Sequence, residues 1–114
     1  MKPEETLKKI NAMQDLCVQV EQDNQKIEEI ASFLQEARTR HETLYRFYQE
    51  EWAELLYDEN GDTKEVINTI LEEHLKHIPE GHYSITNQDT LWDALNDHRL
   101  SLIDLLKTLV EIID

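Results

Sequence analysis

The chain has 114 residues, with 25 acidic residues against 11 basic and a formal net charge of −14. A hydrophobic share of 39% is too high for a disordered chain, and a charged share of 32% leaves material for one modest core. One domain over residues 1–114 is expected, and only two glycines and two prolines point to a few long helices.

The first element opens at Pro3 with Glu4 and Glu5, a proline suited to the first turn and acids suited to the positive end of the helix dipole. Apolar residues then recur at Ile10, Met13, Cys17, Val20, Ile27, Ala31 and Leu34, in alternating steps of three and four. That is a heptad seam whose one polar core position is Asn24. Asn24 either fixes register between paired helices or faces solvent on an ordinary amphipathic helix. As the only cysteine, Cys17 rules out an internal disulfide, which fits a reducing compartment, and its place on the seam suggests a small buried hydrophobe.

After Leu34 the apolar pattern slips by one residue, continuing at Ala37, His41, Leu44, Tyr48 and Leu55. No Gly or Pro interrupts residues 4–59, which as one helix would run roughly 80 Å. A compact domain of this size has a radius of gyration near ~13 Å. The segment is therefore expected to bend back as a helical hairpin over about 3–59, with a turn or kink around Glu36–His41, or else to run on as a stalk.

Asn60-Gly61 is the clearest stop, with Gly61 suited to a left-handed cap. Asp62-Thr63-Lys64-Glu65 reads as a capping box opening a helix over about 62–78. That helix is expected to bury Val66, Ile67, Ile70, Leu71, His74 or Leu75, and Ile78, and to end at Pro79. A short connector, HYSIT, leads to the last helix, about 87–113, with Asn87 as N-cap. Leu91, Leu95, Leu102, Leu105, Leu106, Leu109, Ile112 and Ile113 give that helix a broad apolar face. The expected fold is all-α: an antiparallel helical bundle or hairpin of about four helices with a long coiled-coil-like N-terminal helix.

The second half carries a distinctive order of features: Phe47-Tyr48, Glu50-Glu51-Trp52, Asp58-Glu59, Ile78-Pro79 and Asp89-Thr90-Leu91-Trp92-Asp93. In this it resembles the small bacterial family catalogued as domain of unknown function 4298. The chain departs from that family in having only Gln49 after the aromatic pair, Asn87 at the last cap, and a longer stretch over residues 60–77. The resemblance implies an all-helical bacterial cytoplasmic protein and implies no activity.

Constellations that could carry chemistry are weak. Glu73, His74, His77 and His82 lie close in sequence, but their spacing matches no established zinc motif, and a solvated helix end is the plainer reading. The stretch DENGDTKE lacks the glycine and glutamate positions of a calcium loop. Carboxylate pairs such as Glu28-Glu29, Glu50-Glu51 and Glu72-Glu73 are too abundant to be diagnostic, and no Gly-rich phosphate loop is present. No catalytic residue, cofactor or metal ligand is assigned, and enzyme function is not expected.

The aromatics of FYQEEW fit a core stripe. Tyr48 and Trp52 share a helix face, and Trp92 is the expected mate of Trp52. The neighbouring Tyr45, Glu50, Glu51, Glu54, Asp58 and Glu59 form a candidate partner surface. A field of this sign repels nucleic acid and anionic membranes and suits a basic protein partner, although solubility alone also accounts for it. The opening MKPEETLKKI has no apolar signal core and LIDLLKTLVEII is broken by charges, so a cytoplasmic protein with no membrane span is expected. Two functions follow. One is an acidic helical binding module, such as an inhibitor, immunity or antitoxin-like protein, including a nucleic-acid mimic. The other is a homodimer or larger homo-oligomer paired through Ile10, Met13, Cys17, Val20, Asn24, Ile27 and Leu34.

Overall fold

A computed structural model describes residues 2–113, so the first and last positions of the expected domain lie outside it. The described chain is all-α. It comprises α1 (Pro3–Phe47), a π-helical turn (Tyr48–Trp52), α2 (Ala53–Leu56), α3 (Glu65–His77) and α4 (Gln88–Ile113). Among the described residues there is no β-strand, only one antiparallel bridge between Tyr57 and Thr63. Two units can be distinguished, residues 1–39 and 40–114.

The first unit consists of the N-terminal part of α1. Every residue from Lys2 to Phe33 is exposed, and no residue of α1 is fully buried. Cys17, expected to be buried on the seam, is exposed, and its thiol donates to Glu21 Oε1 at 3.4 Å. The turn expected at Glu36–His41 is also absent, for α1 continues unbroken to Phe47. The physical reason is local. Glu36-Ala37-Arg38-Thr39-Arg40 contains no helix breaker, and Thr39, the weakest helix former there, donates its hydroxyl to the Gln35 carbonyl at 3.2 Å instead of leaving the helix.

The second unit holds the core: Trp52, Leu56, Ile67, Leu91 and Leu95 are buried, with Leu44, Phe47, Tyr48 and Tyr57 packed against them. The π-helical turn sets its register. Leu44, Tyr48, Trp52 and Leu56 are spaced by fours, and in an ideal α-helix each such step drifts by about 40° around the axis. A wider turn with i→i+5 bonding takes up that drift and keeps the four on one face. Leu55, which extended the apolar pattern in the sequence, is therefore 54% exposed while Leu56 is 5% exposed.

The link from α2 to α3 departs from the expected capping box. The Asp58 carboxylate accepts the main-chain N–H of Asn60 at 2.9 Å and of Asp62 at 3.0 Å. Asp58 N–H donates to the Asp62 carbonyl and Lys64 N–H to that of Leu56, each at 2.8 Å. These bonds hold 62–64 in a tight loop, with Lys64 extended at ψ 141°, so α3 begins at Glu65 without a side-chain cap. Gly61 takes φ +80°, the left-handed conformation open to glycine at little cost, but it closes this loop and not α2, which ends at Leu56.

On α3 the inward face is Ile67, Leu71 and His74, followed by Ile78 just past the helix; of the alternatives His74 and Leu75 it is His74 that turns inward, while Val66 and Ile70 are exposed, contrary to the broader face expected. The expected N-cap of α4 is present, with Asn87 Oδ1 accepting the Asp89 N–H at 2.9 Å. Leu91 and Leu95 enter the core, whereas Leu102, Leu106, Leu109, Ile112 and Ile113 are exposed.

Candidate protein-interaction surface

Two aromatic side chains of the π-helical turn anchor the connector and the first residue of α4. The Trp52 indole Nε1–H donates to the Ile85 carbonyl at 2.7 Å, and the Tyr48 hydroxyl accepts from Gln88 Nε2 at 2.9 Å. Tyr57 meets the Trp52 ring edge-on, 5.6 Å between centroids at 73°. Trp92, expected as the mate of Trp52, is 54% exposed. It lies about 100° around α4 from Leu91, which takes the buried position instead.

The same connector is tied to α3. His74 Nε2 is 2.6 Å from Ser84 Oγ, which is 2.7 Å from Thr86 Oγ1 and accepts the Thr86 N–H at 3.0 Å. His74 is thus engaged in a structural hydrogen-bond network, while His77 and His82 are exposed. Among the described residues no group of three or more His, Cys, Asp or Glu side chains is arranged to hold a metal ion.

The anchoring leaves the outer side of the segment from Tyr45 to Glu59 open. Tyr45, Glu50, Glu51, Glu54, Asp58 and Glu59 are all exposed. They divide among distinct settings. Glu54, Asp58 and Glu59 line an open groove of about 780 Å³ with Ala53, Tyr57, Asn60 and Lys64. Glu51 instead borders a separate groove of about 620 Å³ lined by Arg40, Thr43, Leu44, Arg46, Phe47 and Ile85. Tyr45 accepts a hydrogen bond from Gln49 Nε2 at 2.8 Å. Asp58 is committed to its loop through the two N–H groups its Oδ1 accepts, so it shapes the groove more than it offers a free charge. Tyr57 was not singled out by the sequence; its position beside the Asn60-Gly61 turn was the only signal available.

The seam residues form the second exposed set. Ile10 is 59% exposed, Met13 42%, Val20 54% and Ile27 61%; Asn24 is exposed as well, and Leu34 is half-buried. Leu7, Leu16, Val18 and Ile30 widen the apolar surface beyond the two heptad positions. No helix among the described residues is long and apolar enough to cross a membrane.

No protein-family model matches the chain, and neither the curated proteins nor the solved structures contain a match to it. The functional reading therefore rests on the surface itself.

Proposed function

We propose that this chain is a non-enzymatic protein-binding module that presents an acidic helical surface to a basic partner protein. One observation carries this reading. Glu50, Glu54 and Glu59 are exposed on a segment whose other side is fixed by Trp52 and Leu56 in the core, while Glu51 borders the separate groove that Arg40 and Arg46 line. A rigidly backed acidic patch meets a basic surface without ordering long loops, which lowers the entropic cost of association. The π-helical turn provides that backing by keeping Tyr48 and Trp52 inward while the acids stay outside. Inhibitor, immunity or antitoxin-like action fits this mode, as does mimicry of a nucleic acid by carboxylates filling a basic groove. An antiparallel bundle or hairpin of about four helices formed by the chain itself belongs to the same proposal. A bacterial cytoplasmic setting and the resemblance to domain of unknown function 4298 are part of the same proposal.

A second reading, homo-oligomerisation through the N-terminal heptads, is favoured by the exposure of Ile10, Met13, Val20 and Ile27 along one helix. Affinity capture from native host lysate, with and without nuclease, followed by binding kinetics with the purified partner, tests both. A basic protein retained in both conditions, with an on-rate falling several-fold from low to physiological salt, supports the acidic module. A salt-independent on-rate contradicts it, and recovery of only further copies of the chain favours the oligomer.

A further inference from the structure

We infer that the seam of α1 between Ile10 and Ile27 is a docking surface for a basic amphipathic helix of a partner protein, paired in coiled-coil fashion. The inference rests on the acidic-module reading and adds to it a place, a geometry and a partner chemistry.

Four observations lead there. First, Ile10, Met13, Val20 and Ile27 occupy heptad core positions and are all exposed. A helix in water draws most of its stability from packing an apolar face, so these side chains call for a cover. Second, the flanking positions are acidic along the middle of the seam. With Ile10 at position a, Glu21 and Glu28 fall at e and Asp23 at g, while Lys26 falls at c, away from the seam. Third, these flanks oppose self-pairing. A parallel, in-register second copy sets Asp23 against Glu28 of the other chain. An antiparallel copy with Ile10 opposite Leu34, which overlaps all the heptads from Ile10 to Leu34, sets Asp23 against Asp23 and Glu21 against Glu21. The net charge of −14 on each copy adds repulsion. Fourth, Asn24 at position a asks for a polar group opposite it and so limits the partner to one register. Charge complementarity thus selects a helix with Lys or Arg at its own flanking positions over a second copy of this chain.

The test uses the intact chain and two synthetic peptides of about 28 residues, four heptads each. Both carry Leu and Ile at core positions and one Asn placed to meet Asn24. One has Lys at every flanking position and the other Glu, so neither peptide pairs with itself. Fluorescence anisotropy reads binding, and sedimentation equilibrium reads the state of the chain alone. The Lys peptide is expected to bind about tenfold or more tighter than the Glu peptide, with the difference shrinking as salt rises. The variant Glu21→Lys/Asp23→Lys/Glu28→Lys is expected to reverse the preference. Val20→Asp/Ile27→Asp is expected to abolish binding of both peptides with helicity retained by circular dichroism. Equal binding of the two peptides overturns the inference. So does a chain that dimerises and thereby excludes the Lys peptide, since the occupant is then a second copy. So does a monomer that binds neither peptide. The two proposals fail separately. A captured basic protein whose binding survives Val20→Asp/Ile27→Asp but is lost with Glu50→Gln/Glu51→Gln/Glu54→Gln/Glu59→Gln leaves the acidic module standing and removes the seam from it.

Discussion

The indole of Trp52 donates its N–H to the main-chain carbonyl of Ile85 across 2.7 Å, joining positions 33 residues apart. This bond fastens the connector before α4 to the π-helical turn after α1, and it makes Trp52 a polar anchor as well as the largest side chain of the core. Trp52→Phe keeps most of the packing and leaves the carbonyl without this donor. It is expected to cost about 1–3 kcal/mol in urea unfolding. Trp92→Phe, at an exposed site, is expected to stay within about 0.5 kcal/mol. Equal losses for the two variants would show that the bond contributes nothing measurable.

The π-helical turn makes a sharp distinction between adjacent leucines. Leu56→Ala is expected to destabilise by about 2–5 kcal/mol, because it empties a site in a small core. Leu55→Ala is expected to change stability by about 0.5 kcal/mol or less. An ordinary α-helix continuing the apolar phase of Leu44 and Tyr48 through Leu55 would give the reverse order, so thermal unfolding of the pair reads the register directly.

Asp58 holds its loop through an oxygen that Asn also possesses. Asp58→Asn is therefore expected to be nearly silent, whereas Asp58→Ala releases the N–H groups of Asn60 and Asp62 and is expected to cost about 1–2 kcal/mol. If binding to a basic partner drops with Asp58→Asn while stability is unchanged, Asp58 acts as a charge on the surface in addition to holding its loop.

Asn87 caps α4 through the Asp89 N–H. Asn87→Ala is expected to lose about 1 kcal/mol and Asn87→Ser or Asn87→Asp a few tenths at most, measured by chemical denaturation. A loss confined to the Ala variant identifies the side-chain oxygen as the stabilising group. Losses of similar size in all three would place the effect in packing of the connector.

Much of the secondary structure could be read from the chain. Pro79, the Asn87 cap and the scarcity of other breakers follow from backbone chemistry confined to a few neighbouring residues, and they located the end of α3 and the start of α4; Asn60-Gly61 marked the loop but not the end of α2, which stops four residues earlier at Leu56. The start of α3 was misread because Asp62-Thr63-Lys64-Glu65 has the composition of a capping box. Asp58, four residues upstream of Asp62, satisfies the backbone there first. The exposed acids from Glu50 to Glu59 could also be read, since charged side chains avoid burial without a partner.

Helix content, the acidic character of the surface and the apolar periodicity of α1 are legible from residue order, because they depend on residue type and on spacings of three or four. Which apolar residues are buried depends instead on how the helices pack. Periodicity gives a stripe but not what covers it, so Ile10 to Ile27 and Leu91 to Leu95 look alike in sequence while only Leu91 and Leu95 enter a core. The one-residue shift at Tyr48–Trp52 was equally out of reach. A π-helical turn has no residue signature of its own and persists here where Trp52 and Leu56 pack with α3 and α4, an arrangement set by contacts between residues distant in the chain.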